Sequence, residues 1–238
     1  MAKQKVAGSG KRAKKEAARA AMVAAQRRER RRRRWFIGIV SGVVAVFLTA
    51  AIVVVATDSS RESDDGSVPR HPRLTAEGNT QSPPWTAPDD GRARVKAAGL
   101  PMLSEEGSAL HIHAHLDVLV NGKKVDVPAN IGIDAGSGGM SPLHLHDDSG
   151  VIHIESPVKA KFSLGQVFTE WDVALSSHHI GGIDVEDGKM LRAYVNGKAH
   201  RGNPASVILG AHDEIALVYG TAEQQRNPPA SYAFDSGE

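Results

Sequence analysis

Between residues 110 and 118 the chain reads Leu-His-Ile-His-Ala-His-Leu-Asp-Val, an alternation of apolar and polar side chains with a period of two. Two is the period of a β-strand, whose successive side chains point to opposite faces of the sheet. A helix would scatter the same residues around its circumference. The segment therefore predicts a strand with Leu110, Ile112, Ala114, Leu116 and Val118 on a core face and His111, His113, His115 and Asp117 on the other. The pattern returns at Leu143-His144-Leu145-His146-Asp147 and Val151-Ile152-His153-Ile154-Glu155, so six of the eleven histidines fall in three short segments.

Turn chemistry extends the strand reading. Asn121-Gly122 follows the first strand and Asn196-Gly197 follows Met190–Val195. Asn-Gly supplies the positive φ angles of a two-residue hairpin turn, so each pair predicts a hairpin, the first running into Lys123–Val127 and the second into Lys198–His200. A last strand is expected over Glu214–Tyr219. One helix is expected over Ser163–Trp171, where Leu164, Val167, Phe168 and Trp171 recur at helical spacing and form a core face. A shorter helix over Arg92–Ala98 has Asp89 or Asp90 as its cap and Gly99 as its stop. The predicted class is α+β, a mostly antiparallel sheet with Asn-Gly hairpins and one covering helix in a β-grasp-like arrangement, with a small barrel as the alternative.

Imidazole is the commonest protein ligand for transition metals. Histidines at i and i+2 of one strand face stand about 6.5–7 Å apart at their backbones and can converge on one ion, whereas three in a row span about 13 Å. The expected ligands are His113, His115, His144, His146 and His153. His111, Asp117, Asp147 and Glu155 are expected to support them, the carboxylates by orienting imidazoles through their other nitrogen. The chain has no cysteine, which excludes thiolate sites and disulfides. Nitrogen and carboxylate donors suit a divalent transition metal, copper or zinc first, with iron or manganese as alternatives. Met140 is a candidate soft ligand, though an ordinary loop residue is the simpler reading. His71, His178, His179, His200 and His212 read as surface positions.

Residues 35–56 contain no charge. As a helix they rise about 33 Å, enough for a hydrocarbon core of about 30 Å, and a single transmembrane helix is predicted. Residues 1–34 carry 14 Lys and Arg against 2 Glu, a charge of +12, while 15 basic and 25 acidic residues follow, a charge of −10. Positive flanking charge stays cytoplasmic, so the N-terminus is expected inside the cell membrane and the C-terminal part in the extracytoplasmic space. A cleaved signal peptide is the rival reading, disfavoured by an apolar run longer than the usual 7–15 residues, about. The Arg27–Arg34 cluster is placed to meet the lipid bilayer through anionic headgroups, and nucleic acid is not an expected partner. The organisation expected is a basic cytoplasmic tail (1–34), the transmembrane helix (35–56), a Ser- and Pro-rich flexible stalk (57–88) and an extracytoplasmic His-rich domain (89–238).

The histidine segments, with the Ser163–Trp171 segment and the closing His212–Gly220 run, resemble a family of bacterial and archaeal exported or membrane-anchored proteins, most of them described as uncharacterised. The likeness covers about residues 84–234 and implies no established activity. Members tend to carry Thr at the position of Leu145. Gly-x-Ser-x-Gly elbows and phosphate-binding glycine loops are absent. Three function classes follow: a membrane-tethered protein that handles copper or zinc, a cupin-like metalloenzyme, and an accessory or interaction domain of another membrane protein complex. The balance leans away from an enzyme.

Overall fold

A computed structural model describes residues 67–236. The predicted cytoplasmic tail and transmembrane helix, and residues 57–66 of the predicted stalk, lie outside the described residues. Among the described residues no helix is long and apolar enough to cross a membrane.

The domain is α+β, with mostly antiparallel sheets and two helices. Its elements are α1 (Gly91–Ala97), β1 (Leu110–Val120), β2 (Lys123–Val125), β3 (Ile133–Asp134), β4 (Gly139–Met140), β5 (Leu143–His144), β6 (Val151–Ser156), α2 (Leu164–Glu170), β7 (His179–Ile180), β8 (Ile183–Asp184), β9 (Lys189–Val195), β10 (Lys198–Ala199) and β11 (Glu214–Thr221). The main sheet runs β10-β9-β11-β1-β6-β5. β1 is its axis. It pairs in parallel with β11 through His115–Val120. On its other edge it pairs antiparallel with β6 through Leu110–His115 and with β2 through Val118–Val120. The parallel β1–β11 pair is the exception within the expected mostly antiparallel sheet, and hairpin signals could not announce it, because the two strands are joined by most of the domain.

Both Asn-Gly pairs make the expected turns, with φ of 51° and 76° at Asn121-Gly122 and 51° and 74° at Asn196-Gly197. α2 starts on a capping box: the Ser163 hydroxyl accepts from the Gln166 amide, and the Gln166 side chain accepts from the Ser163 amide. Asp90 caps α1 by accepting from Ala93. Leu164, Val167, Phe168 and Trp171 are fully buried against Ala114, Leu116, Val118, Ile152 and Ile154 of the sheet. The core face is therefore the one the alternation assigns.

On the polar face of β1, His113 and His115 are buried. The C-terminal segment covers part of this face: Gln225 donates to the carbonyls of Met190 and Val218, and the Tyr232 ring stacks on His115 at 3.8 Å. The stalk expectation needs correction. From residue 67 onward the supposed stalk is a strap packed over α2 and the loop after it, with bridges Ala76–Leu175 and Asn79–Val173. The Glu77 amide donates to Thr169 Oγ1. Trp85 lies buried with its ring edge-on to Trp171 at 5.8 Å. An extended strap has no apolar period to read, yet backbone hydrogen bonds and one large aromatic anchor it.

Replacing Trp85 with Ala should therefore lower the unfolding free energy of the full-length chain by about 3 kcal/mol, measured by chemical denaturation. A freely mobile stalk would leave stability unchanged.

Candidate metal centre

Strand register assembles the site. His113 of β1 lies directly across from His153 of β6, and His153 directly across from His144 of β5. One row of three imidazoles thus crosses three adjacent strands on the face away from α2. One step along, His111 faces Glu155. His146 follows His144 by two residues and returns to the same face. The turn that brings β6 back needs Gly150, which has φ of +89° and whose missing Cβ would stand 2.6 Å from the Leu116 carbonyl.

The rings converge through their nitrogens. His144 Nε2 and His146 Nε2 are 3.1 Å apart, and His113 Nε2 and His153 Nδ1 are 3.1 Å apart. Glu155 Oε1 lies 3.1 Å from His153 Nδ1, 3.4 Å from His111 Nε2 and 3.8 Å from His113 Nε2. Two nitrogens bound tetrahedrally to one ion at 2.0–2.1 Å are separated by about 3.3 Å, so the His144–His146 spacing matches an edge of a coordination polyhedron. The tautomer of His144 is fixed. Its Nδ1–H donates to the Ser141 carbonyl at 2.9 Å, which leaves a lone pair on Nε2. His144, His146 and His153 form one group able to hold a metal ion, and His111, His113 and Glu155 another.

Electrostatics keep the donors available. Burial, reinforced by the adjacent His146, depresses His144 to about 4. Burial, with His153 beside it, lowers His146 as well. Both imidazoles are therefore neutral at physiological pH, as a metal ligand must be. At Glu155 burial acts upward, but the hydrogen bond from His153 and the imidazoles of His144 and His111 outweigh it and the net shift is downward. The cluster meets solvent at His111 and His146, whose side chains are 51% and 39% exposed.

His115 departs from its expected role. Its Nε2 donates to the Ser149 carbonyl at 2.9 Å and its Nδ1 meets Glu214 Oε2 at 2.6 Å, both within the interior. His115, Asp117 and Glu214 do bring ligand atoms together, but both ring nitrogens of His115 are engaged and Asp117 is paired with Lys124 at 2.7 Å. His115 ties β1 to β11 and the C-terminal segment; it does not join the row at His153. His111, expected only to support the ligands, faces Glu155 and groups with His113 and Glu155 as a potential ligand. The Asp147 carboxylate accepts from the Ser149 amide within the turn and acts electrostatically on His146, while the Ser141 carbonyl orients His144. Met140 bridges Leu103 through its backbone. His179 and His200 contact serine hydroxyls, and the His212 amide donates to the His113 carbonyl.

Sequence reasoning missed three contributors. Glu106, in the loop before β1, groups with His144 and Glu155, and burial together with the Glu155 charge raises its carboxyl. Ser141 supplies the carbonyl for His144. Glu170, at the end of α2, is fully buried, and burial pushes its carboxyl well above the usual range, partly offset by Ser141. None lies in a periodic histidine segment, and no local pattern marks them.

The His144 shift sets a direction for acid stability. The unfolded chain protonates near the ordinary value of 6.5 and the folded chain only near 4. The stabilising contribution is complete above 6.5 and lost as pH falls toward 4, to a total of about 3 kcal/mol. Metal-stripped full-length chain should lose that much more stability between pH 7 and 4 than its His144→Gln variant. Parallel profiles in denaturant titrations would contradict the buried neutral imidazole.

No protein-family model, curated protein or solved structure matches the chain. The functional reading therefore rests on the cluster itself.

Proposed function

We propose that this protein binds a divalent transition metal, copper or zinc, at the His111/His113/His144/His146/His153/Glu155 cluster, and that a single-pass anchor at residues 35–56 holds the domain on the extracytoplasmic side of the cell membrane. The observation that supports the reading most is the convergence of imidazole nitrogens at 3.1 Å in a buried row. Buried polar groups are ordinarily satisfied by donor–acceptor pairs. Here nitrogens face nitrogens, at a spacing that two ligands of one cation also adopt.

Solvent access at His111 and His146 favours metal exchange, hence buffering, sensing or delivery. A cleft of about 380 Å³ lined by residues including Asn79, Gln81, Asp90, Arg94 and Asp172 lies apart from the cluster. The β1–β2 hairpin, α2 and the parallel β1–β11 pair support a β-grasp-like description of the fold. Membership of the exported family, contact of Arg27–Arg34 with anionic lipid and docking to another membrane complex belong to the same proposal.

Full-length protein without a polyhistidine tag, challenged with equimolar copper, zinc, iron and manganese, should retain at least one equivalent of metal by elemental mass spectrometry. His144→Ala combined with His153→Ala should lose at least one equivalent while the circular dichroism spectrum is kept; unchanged metal content would overturn the site. For the topology, protease added to intact cells should cleave the domain and spare residues 1–34. Complete protection of the domain would reverse the orientation.

A further inference from the structure

The donors of the cluster are too many and too divided for one ion. A tetrahedral site takes four ligands, whereas five imidazoles and Glu155 are present, and their ligand atoms sort into a His144/His146/His153 group and a His111/His113/Glu155 group. Glu155 also groups with His144, so its carboxylate lies between the two sets. Its Oε1 takes the contacts to His111, His113 and His153, its Oε2 is buried with no hydrogen bond, and the Glu106 carboxyl also reaches this carboxylate. A buried carboxylate oxygen without a donor is costly.

We propose that the cluster is a two-ion centre. One divalent ion sits at His144, His146 and His153, a second at His111 and His113, and the carboxylate of Glu155 bridges them. The bridge gives Glu155 Oε2 its partner and places negative charge between two cations, the arrangement that two-metal sites with ions about 3.5–4 Å apart require. His111 and His113 are two residues apart on one strand and turn toward the same space, as do His144 and His146; each pair anchors one ion. The chemical class of ligand is an exchangeable borderline metal such as Zn(II) or Cu(II). This inference rests on the metal-binding reading and goes beyond it in number and in the role of Glu155.

The test uses full-length, untagged, metal-stripped chain. Titrated with Zn(II), the wild type should retain two equivalents, and the His111→Ala, His113→Ala double variant should retain one. Glu155→Gln should weaken the second equivalent at least tenfold and leave the first bound. Loaded with Cu(II), the wild type should give an ordinary isolated-copper paramagnetic resonance signal at one equivalent; at two equivalents it should show less signal per copper and a half-field transition. This arm needs no variant and so does not depend on how substitution affects folding. One equivalent in both the wild type and the His111/His113 variant, or two uncoupled coppers, would overturn the two-ion centre while leaving the metal reading intact. No retained metal at all would overturn both.

Discussion

The antiparallel register of β1 against β6 is the constraint on which everything else here depends. Pairing His113 with His153 puts Ile112 across from Ile154 and Ala114 across from Ile152, so the same alignment fills the core beneath α2 and assembles the imidazole row above. A shift of one residue would turn every histidine into the core and every isoleucine outward. The large apolar penalty of that slip protects the polar face as well. The site borrows its geometric precision from the hydrophobic core.

What distinguishes the cluster from an ordinary buried polar patch is the balance of donors and acceptors. At His115 each nitrogen meets an oxygen, and Tyr232 seals the ring. At His144 only one nitrogen is satisfied by the protein, through Ser141, and the other points at His146. The two histidines are comparably buried, yet one is a structural tie and the other an available ligand. Burial then strengthens the difference, because removal from water disfavours the imidazolium and keeps the lone pair at His144 exposed to a cation.

Much of this was legible in the sequence, and for identifiable reasons. Strand alternation, Asn-Gly turns and the apolar spacing of α2 are local signals, and each element formed where its signal lay. His144, His146, His153, His113 and Glu155 could be nominated together because period two places them on equal faces. The fate of His115 was not legible: its partners Glu214 and Tyr232 lie some hundred residues away, and nothing in Leu110–Val118 separates it from His113. The strap at residues 67–88 escaped for the complementary reason. Its attachment is made by backbone groups, by Trp85 and by scattered polar side chains such as Arg73 and Asn79, and composition registers none of these.

The parallel pairing of β1 with β11 carries a consequence for the order of assembly. Leu110–His115 can pair with β6 once the 35 residues between His115 and Val151 have closed, far fewer than the 98 between His115 and its β11 partner Glu214. The other half of the strand, Leu116–Val120, has only β2 on one edge until β11 arrives from far along the chain. Contacts of long sequence separation form slowly because the intervening chain must lose its freedom first. A chain emerging N-terminus first therefore has its imidazole row in place before its central strand is sealed. The clustered imidazoles are available during biogenesis, at a stage when a metal ion bound there would act as a folding nucleus.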